Sequence, residues 1–167
     1  MTMDEIIVFT GGLDGVLTLR PAPGDGTPEL AWGDAFFYYS PDGVVPTTTQ
    51  PFATIVTKNY PGDETSRLER PGAFRVNVAA GREAFTRWTG HAPRETATAA
   101  TEDGGGAGAA SGGGDAEDTV IAHPVYGPQG WLAVVNPGPR TGEAVRELVT
   151  AAYRLARARY ERRAEAG

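Results

Sequence analysis

The sequence predicts a single α+β domain in which helices pack on one face of an antiparallel sheet. Its segments are, in order, a short helix, a series of strands, a small helix, a two-stranded hairpin and a long helix. Because strands and helices do not alternate regularly, a doubly wound parallel sheet is disfavoured. The length of 167 residues is enough for one substantial core, so we assign residues 1–167 to one domain.

The N-terminal segment has the features of a short helix followed by a strand. Thr2 and Glu5 have the spacing of a capping box, in which each side chain bonds the backbone amide of the other residue. Gly11 and Gly12 are expected to end the helix, because glycine adopts the left-handed cap conformation at little cost. Residues 16–19 form the first predicted strand.

The middle of the chain supplies three further strands and a small helix. An aromatic-rich stretch predicts a strand over residues 30–40, and residues 52–58 and 73–78 predict two more. Residues 82–88 predict one or two helical turns. A hairpin follows, with strands over 119–123 and 131–135 that residues 124–130 connect.

The C-terminal segment predicts a long amphipathic helix that Thr141 caps. Its apolar residues recur at helical spacing and define one buried face: Val145, Leu148, Val149, Ala152 and Ala156. This helix and the short N-terminal one are expected to cover the same face of the sheet.

A Gly/Ala-rich segment at about residues 96–118 interrupts the pattern. It consists almost entirely of Ala, Thr, Gly, Ser, Asp and Glu. Such a segment buries too little apolar area to offset the entropy lost on ordering, so we predict a flexible insertion, a disordered loop within the domain.

Composition excludes several classes of function. No cysteine is present, so disulfides and thiolate chemistry are excluded. The net charge is −6, whereas phosphate backbones need a basic surface, so nucleic acid is disfavoured as a partner. The acidic N-terminus does not have the charge pattern of a signal peptide, and no apolar run approaches the roughly 20 residues of a membrane helix. We therefore expect a cytoplasmic protein that has no membrane partner.

Five segments carry a resemblance to a known family. They cover residues 32–39, 51–58, 70–78, 123–127 and 130–137, and include Trp-Gly-Asp-Ala-Phe-Phe-Tyr-Tyr and Gly-Trp-Leu-Ala-Val-Val-Asn-Pro. These motifs resemble an uncharacterised bacterial family, DUF6194, over almost the whole chain except the Gly-rich tract. The resemblance implies no activity and no catalytic residues.

A more distant resemblance concerns the layout of the elements. The phrase Leu13-Asp14-Gly15-Val16 after the first helix, and a closing helix with leucines at 148 and 155, are similar to the MmcQ/YjbR-like proteins. That resemblance implies a compact α+β fold. Those proteins are often labelled DNA-binding, but fold does not determine function and the charge of this chain is unsuitable.

Histidine and basic residues are the first candidates for a site. His123 ends a predicted strand and could act as a general base, or could equally hydrogen-bond a loop. Lys58, the only lysine, could bind an anion or form a Schiff base, or could be solvated. Arg75, with Arg67 and Arg70, could bind a carboxylate or phosphate, or could pair with nearby acidic residues. No metal site and no cofactor are expected, because no ligand or cofactor motif is present.

Aromatic residues provide the second set of candidates. Trp32, Asp34, Tyr38, Tyr126 and Trp131 lie on neighbouring predicted strands or strand ends. They could line a pocket for a small ligand, or could fill the core. We favour a non-catalytic module that binds a small molecule or a protein. The alternatives are a small cofactor-independent enzyme using His123, and nucleic-acid binding through the final helix.

Overall fold

A six-stranded antiparallel sheet forms the centre of the protein. The computed structural model describes residues 1–93 and 115–166. The strands are β1 (Val16–Leu19), β2 (Ala35–Tyr39), β3 (Ala53–Val56), β4 (Arg75–Val78), β5 (Val120–Ala122) and β6 (Leu132–Val135), and their order across the sheet is β1-β2-β3-β4-β6-β5. The helices are α1 (Met3–Gly11), α2 (Gly81–Thr89) and α3 (Gly142–Ala166).

One face of the sheet packs against all three helices. Alternate strand residues such as Phe37, Ile55 and Val76 join one buried cluster with Ile6 of α1, Phe85 of α2 and four apolar residues of the α3 stripe: Val145, Leu148, Val149 and Ala152. The hydrophobic effect that holds this layer is non-directional, so the period of the apolar residues decides which side of each element is buried. The predicted α+β arrangement is confirmed.

The predicted strand at residues 30–40 is shorter in the structure. A single 3₁₀ turn, Glu29–Ala31, comes first, and the amide of Asp34 donates to the carbonyl of Ala31 at 3.1 Å. Gly33 between them has φ of +87°, a conformation that ends extended pairing on this side. The strand therefore begins only at Ala35, and Trp32 lies outside the sheet.

The ends of α1 and α3 differ from prediction in their capping. The Thr2–Glu5 capping box is present, but Gly12 ends α1 in the right-handed region, with φ of −83°. Thr141 precedes α3, yet its hydroxyl donates to Asp118 Oδ1 at 2.6 Å. Asp118 also accepts from the amides of Gly138 and Thr141 at 2.8 and 2.9 Å. One carboxylate thus organises the turn before α3.

Asp118 lies in the segment predicted as a flexible insertion. Residues 94–114 are outside the described residues, so the prediction for them stays a prediction. Residues 115–118 are described, and the amide of Asp118 donates to the carbonyl of Val135 at 2.8 Å. Main-chain pairing with β6 therefore begins before the predicted end of the insertion.

The second face of the sheet carries polar residues at alternating positions of its central strands. Thr54 of β3 lies opposite Asn77 of β4, and Arg75 lies two residues before Asn77 on the same face. All three side chains are buried. Loop residues 57–72 help to cover this face through Leu68, which packs with Val56 and Val135.

No helix in residues 1–93 and 115–166 is long and apolar enough to cross a membrane. The cytoplasmic location expected from the sequence stays a prediction.

Candidate functional site

A cavity of about 460 Å³ opens on the second face of the sheet. It lies over strands β2 to β4, between the loop that follows β3 and the connection between β5 and β6. Its apolar lining consists of Phe36, Pro51, Val56, Pro61, Val125 and Trp131, and its polar lining includes Gln50, Thr54, Tyr60, Asp63, Arg75, Asn77, His123 and Tyr126. Cavities of this size and mixed lining are typical of small-molecule sites.

Arg75 forms the polar floor of the cavity and is only 2% exposed. Its Nε donates to Asn77 Oδ1 at 2.7 Å, and its Nη1 donates to Asp63 Oδ1 at 2.9 Å and to Ser66 Oγ at 3.0 Å. Its Nη2 donates to Asp63 Oδ2 at 2.5 Å. Asn77 in turn donates to Thr54 Oγ1 at 2.9 Å. A buried guanidinium needs such pairing, because an unpaired one would be expensive to desolvate.

His123 lies next to Arg75 at the edge of this floor and is 4% exposed. Its Nδ1 accepts hydrogen bonds from the amides of Val125 and Tyr126, both at 3.0 Å. Pro124 has no amide hydrogen, so the next two residues supply the donors. The other ring nitrogen, Nε2, is 3.2 Å from Arg75 Nη2. The local turn after β5 thus fixes the orientation of the imidazole.

Burial and charge set the protonation of this group of side chains. Burial, helped by the nearby charge of Arg75 and opposed by Asp63, lowers the pKa of His123 to about 3. Burial opposes ionisation of Asp63, but the hydrogen bonds and charge of Arg75 outweigh it and lower the pKa of Asp63. At neutral pH the site therefore holds one cation, one anion and a neutral histidine. Such a histidine is a weak base, which disfavours general-base catalysis.

Two aromatic side chains form a wall beside His123. The rings of His123 and Tyr126 have centroids 4.9 Å apart, and those of Tyr126 and Trp131 are 6.3 Å apart. Tyr126 is 51% exposed although it lines the cavity, so one ring stands at the mouth. Exposed aromatic rings beside a cavity are suited to packing against a flat apolar ligand.

Asp34 belongs to a separate buried cluster. Its Oδ1 accepts from the amide and hydroxyl of Thr57 at 2.8 and 2.7 Å and from Lys58 Nζ at 3.0 Å. The hydroxyl of Tyr60 donates to Oδ2. Lys58 Nζ also donates to the carbonyl of Trp32 at 2.7 Å. The amine of Lys58 thus donates to acceptors within the protein. The hydrogen bond from Tyr60 to Asp34 also fixes the position of Tyr60, which lines the cavity.

The structure brings some of the predicted site residues together and keeps others apart. His123, Arg75, Tyr126 and Trp131 share the cavity. Tyr38 lines a neighbouring cavity of about 120 Å³, which Trp131 also borders. Trp32, Asp34 and Lys58 form the separate cluster instead.

Sequence reasoning anticipated one partner of Arg75 and missed others. Pairing with a nearby acidic residue was one of the two alternatives, and the structure shows that pair with Asp63. Ser66 lies in the same polar loop, and nothing in the sequence distinguishes it from a solvated residue, yet it is fully buried. Asn77 and Thr54 were detectable in principle. In the predicted strand at 73–78, Arg75 and Asn77 alternate with valines and so share the face opposite the core.

The other arginines near this loop pair with neighbouring acidic residues. Arg70 Nη1 is 3.0 Å from Glu117 Oε1. Arg67 has two acidic neighbours: its Nη1 is 3.5 Å from Asp115 Oδ2, and its Nε is 3.9 Å from Glu69 Oε1. Arg67, Arg70 and Arg75 therefore do not converge on one free anion site. Within residues 1–93 and 115–166, no group of three or more His, Cys, Asp or Glu side chains could hold a metal ion.

Comparison with known proteins assigns the chain to a family. No curated protein and no solved structure is detectably similar to it, so the relation to the MmcQ/YjbR-like proteins stays a prediction. The model of one family of unknown function matches residues 1–165, which confirms the resemblance found in the sequence. The chain belongs to the DUF6194 family.

Proposed function

We propose that this protein is a small-molecule-binding module and that the cavity above Arg75 is its binding site. The observation that carries the proposal is a 460 Å³ cavity with apolar walls and a buried polar floor. Ligand sites typically combine a mostly apolar surface with a few polar groups held in fixed positions. Here the hydrogen bonds to Asp63, Asn77 and Ser66 hold the guanidinium in place.

The protonation of the site favours binding over catalysis. His123 is neutral and turns its Nδ1 towards two backbone amides. Lys58 donates to Asp34 and Trp32 rather than into the cavity. These contacts support a binding role for the cavity over a role for either residue as a nucleophile or general base.

A thermal-shift screen against small uncharged metabolites, nucleotides and organic acids tests the proposal. A ligand that binds only the folded state raises stability, by about 2.7 kcal/mol at a hundredfold excess over Kd. The variant Val125→Trp places a bulky ring at the cavity lining and should abolish the shift. Val44→Trp is the matched control, since Val44 is 63% exposed and is not among the cavity-lining residues.

The outcomes separate clearly. A shift that is lost in Val125→Trp and kept in Val44→Trp supports the cavity as the site. A shift that survives in both variants places the ligand elsewhere and refutes the assignment. No shift from any class of compound refutes small-molecule binding and favours a protein partner.

A further inference from the structure

His123 is surrounded by hydrogen-bond donors. The amides of Val125 and Tyr126 point at Nδ1, and Nη2 of Arg75 lies 3.2 Å from Nε2. A neutral imidazole has one N–H and one lone pair, so it cannot accept at both nitrogens. One of its two nitrogens must therefore face a donor while carrying a hydrogen itself.

The tautomer with the hydrogen on Nε2 has the fewer conflicts. It lets Nδ1 accept both backbone hydrogen bonds, whereas the other tautomer would set its Nδ1–H against two amide hydrogens. In the favoured tautomer, His123 Nε2–H and one Nη2–H of Arg75 lie side by side. The second Nη2–H bonds Asp63. Two buried donors 3.2 Å apart can share a single acceptor atom, and unsatisfied buried donors are costly.

The charges at the cavity favour an uncharged acceptor. Of the described residues that line it, only Arg75 and Asp63 carry a formal charge once His123 is neutral, and these two neutralise each other. The carboxylate of Asp63 accepts from both terminal nitrogens of the guanidinium. A ligand carboxylate or phosphate beside Arg75 would therefore be repelled by Asp63, while a carbonyl or amide oxygen would not.

The remaining walls indicate the body of the ligand. Phe36, Val56 and Trp131 supply apolar surface, and Tyr126 stands half-exposed at the mouth. A volume of about 460 Å³ is suited to a body of one or two rings.

We propose that the ligand is an uncharged molecule with a flat apolar body and one acceptor oxygen, of the amide or ketone type, which Arg75 and His123 bind together. This inference rests on the proposed function of the cavity and specifies its ligand class. The apolar body packs beside Tyr126 and Trp131, and the oxygen occupies the point between His123 Nε2 and Arg75 Nη2.

Two probes with the same body test the class: 2-naphthamide and 2-naphthoate. Their Kd values are measured at pH 7 by calorimetry or amide-shift titration. We expect the amide to bind at least tenfold more tightly to the unaltered protein. In Asp63→Asn the repelling carboxylate is gone and the charge of Arg75 is uncompensated, so we expect the preference to reverse. Glu117→Gln is the matched control, because it makes the same charge change at an exposed residue paired with Arg70.

The comparison of the two probes on the unaltered protein does not depend on any variant. Naphthoate binding as tightly as the amide overturns the ligand class, and so does failure of both probes to bind. In either case a ligand of another class found in the thermal-shift screen leaves the proposed function standing. A folded Asp63→Asn protein that still prefers the amide to the carboxylate also overturns the ligand class.

The ring nitrogens of His123 provide an independent measurement without ligand. Long-range ¹H–¹⁵N spectra distinguish the two neutral tautomers, and we expect the hydrogen on Nε2. A hydrogen on Nδ1 would remove the donor pair and refute the inference.

Discussion

We predict that the free energy of unfolding decreases as the pH is lowered from 7 to 5, and that His123 is a main cause. The ring is buried and neutral in the folded protein, where its pKa is lowered from 6.5 to about 3. In the unfolded chain the same ring takes up a proton below about pH 6.5. The contribution of the neutral ring to stability is therefore complete above pH 6.5 and is lost as the pH falls towards 3.

The size of the effect follows from the two pKa values. Between them the unfolded chain binds one more proton than the folded protein, so the free energy of unfolding changes by about 1.4 kcal/mol per pH unit. From pH 7 to pH 5 this amounts to about 2 kcal/mol for His123 alone. The pairing of Asp63 with Arg75 belongs to a lower window, because its stabilisation is lost only as the pH falls below the usual carboxyl value of 3.8.

Urea unfolding at pH 7 and pH 5 measures the effect, and His123→Gln removes the titrating group. The difference between the two pH values should be about 2 kcal/mol smaller in His123→Gln than in the unaltered protein. For each protein, the quantity compared is the difference in unfolding free energy between pH 7 and pH 5. Any loss of stability that the substitution causes equally at both pH values therefore cancels. His91→Gln is the control for loss of a histidine outside the cavity. If the unfolding free energy of His123→Gln falls from pH 7 to pH 5 as much as that of the unaltered protein, His123 is not a buried, neutral ring in the folded state.

Two further predictions concern the scaffold. Asp34→Ala removes the buried carboxylate that accepts hydrogen bonds from Thr57, Lys58 and Tyr60, and should cost about 3 kcal/mol in urea unfolding; a loss under about 1 kcal/mol would contradict the anchoring role of the cluster. Gly15→Ala should cost about 2 kcal/mol, because φ is +79° and the new Cβ would lie 2.7 Å from Cε1 of the Tyr39 ring, which packs against Tyr153 and Tyr160. Gly43→Ala, with φ of +76° and nothing within 4 Å, should cost only about 1 kcal/mol, and equal losses would refute the steric argument.

The parts of the fold that follow a regular period could be predicted. The stripe from Val145 to Ala152 identified the buried side of α3, and the Thr2–Glu5 pair identified the start of α1. Each signal is local, since the pattern itself states which side is apolar. The strand at residues 30–40 was overestimated because aromatic content does not reveal the turn at Gly33.

The site was only partly predictable, because its chemistry depends on contacts between distant segments. Asp63 and Ser66 reach Arg75 across 12 and 9 positions, and His123 reaches it across 48. The charge of Asp63 made it one of the nearby acidic residues that could pair with Arg75, but nothing local marks Ser66 or His123 as a partner. That Tyr126 and Trp131 lie close together could be predicted, because both belong to one hairpin and are near each other in sequence.

The buried floor of the cavity has a consequence for how this scaffold could acquire a new ligand. Arg75 holds Asp63 and Ser66 of the loop against the sheet, so the side chain that we propose to bind the ligand also attaches this loop to the sheet. A substitution among these floor residues would change the ligand specificity and would also weaken the attachment of the loop to the sheet. Val125 and Tyr126 at the mouth are 40% and 51% exposed and can be exchanged without dismantling that attachment. To change the ligand that the cavity binds, substitutions should therefore be made at its mouth, while the residues of the floor are kept.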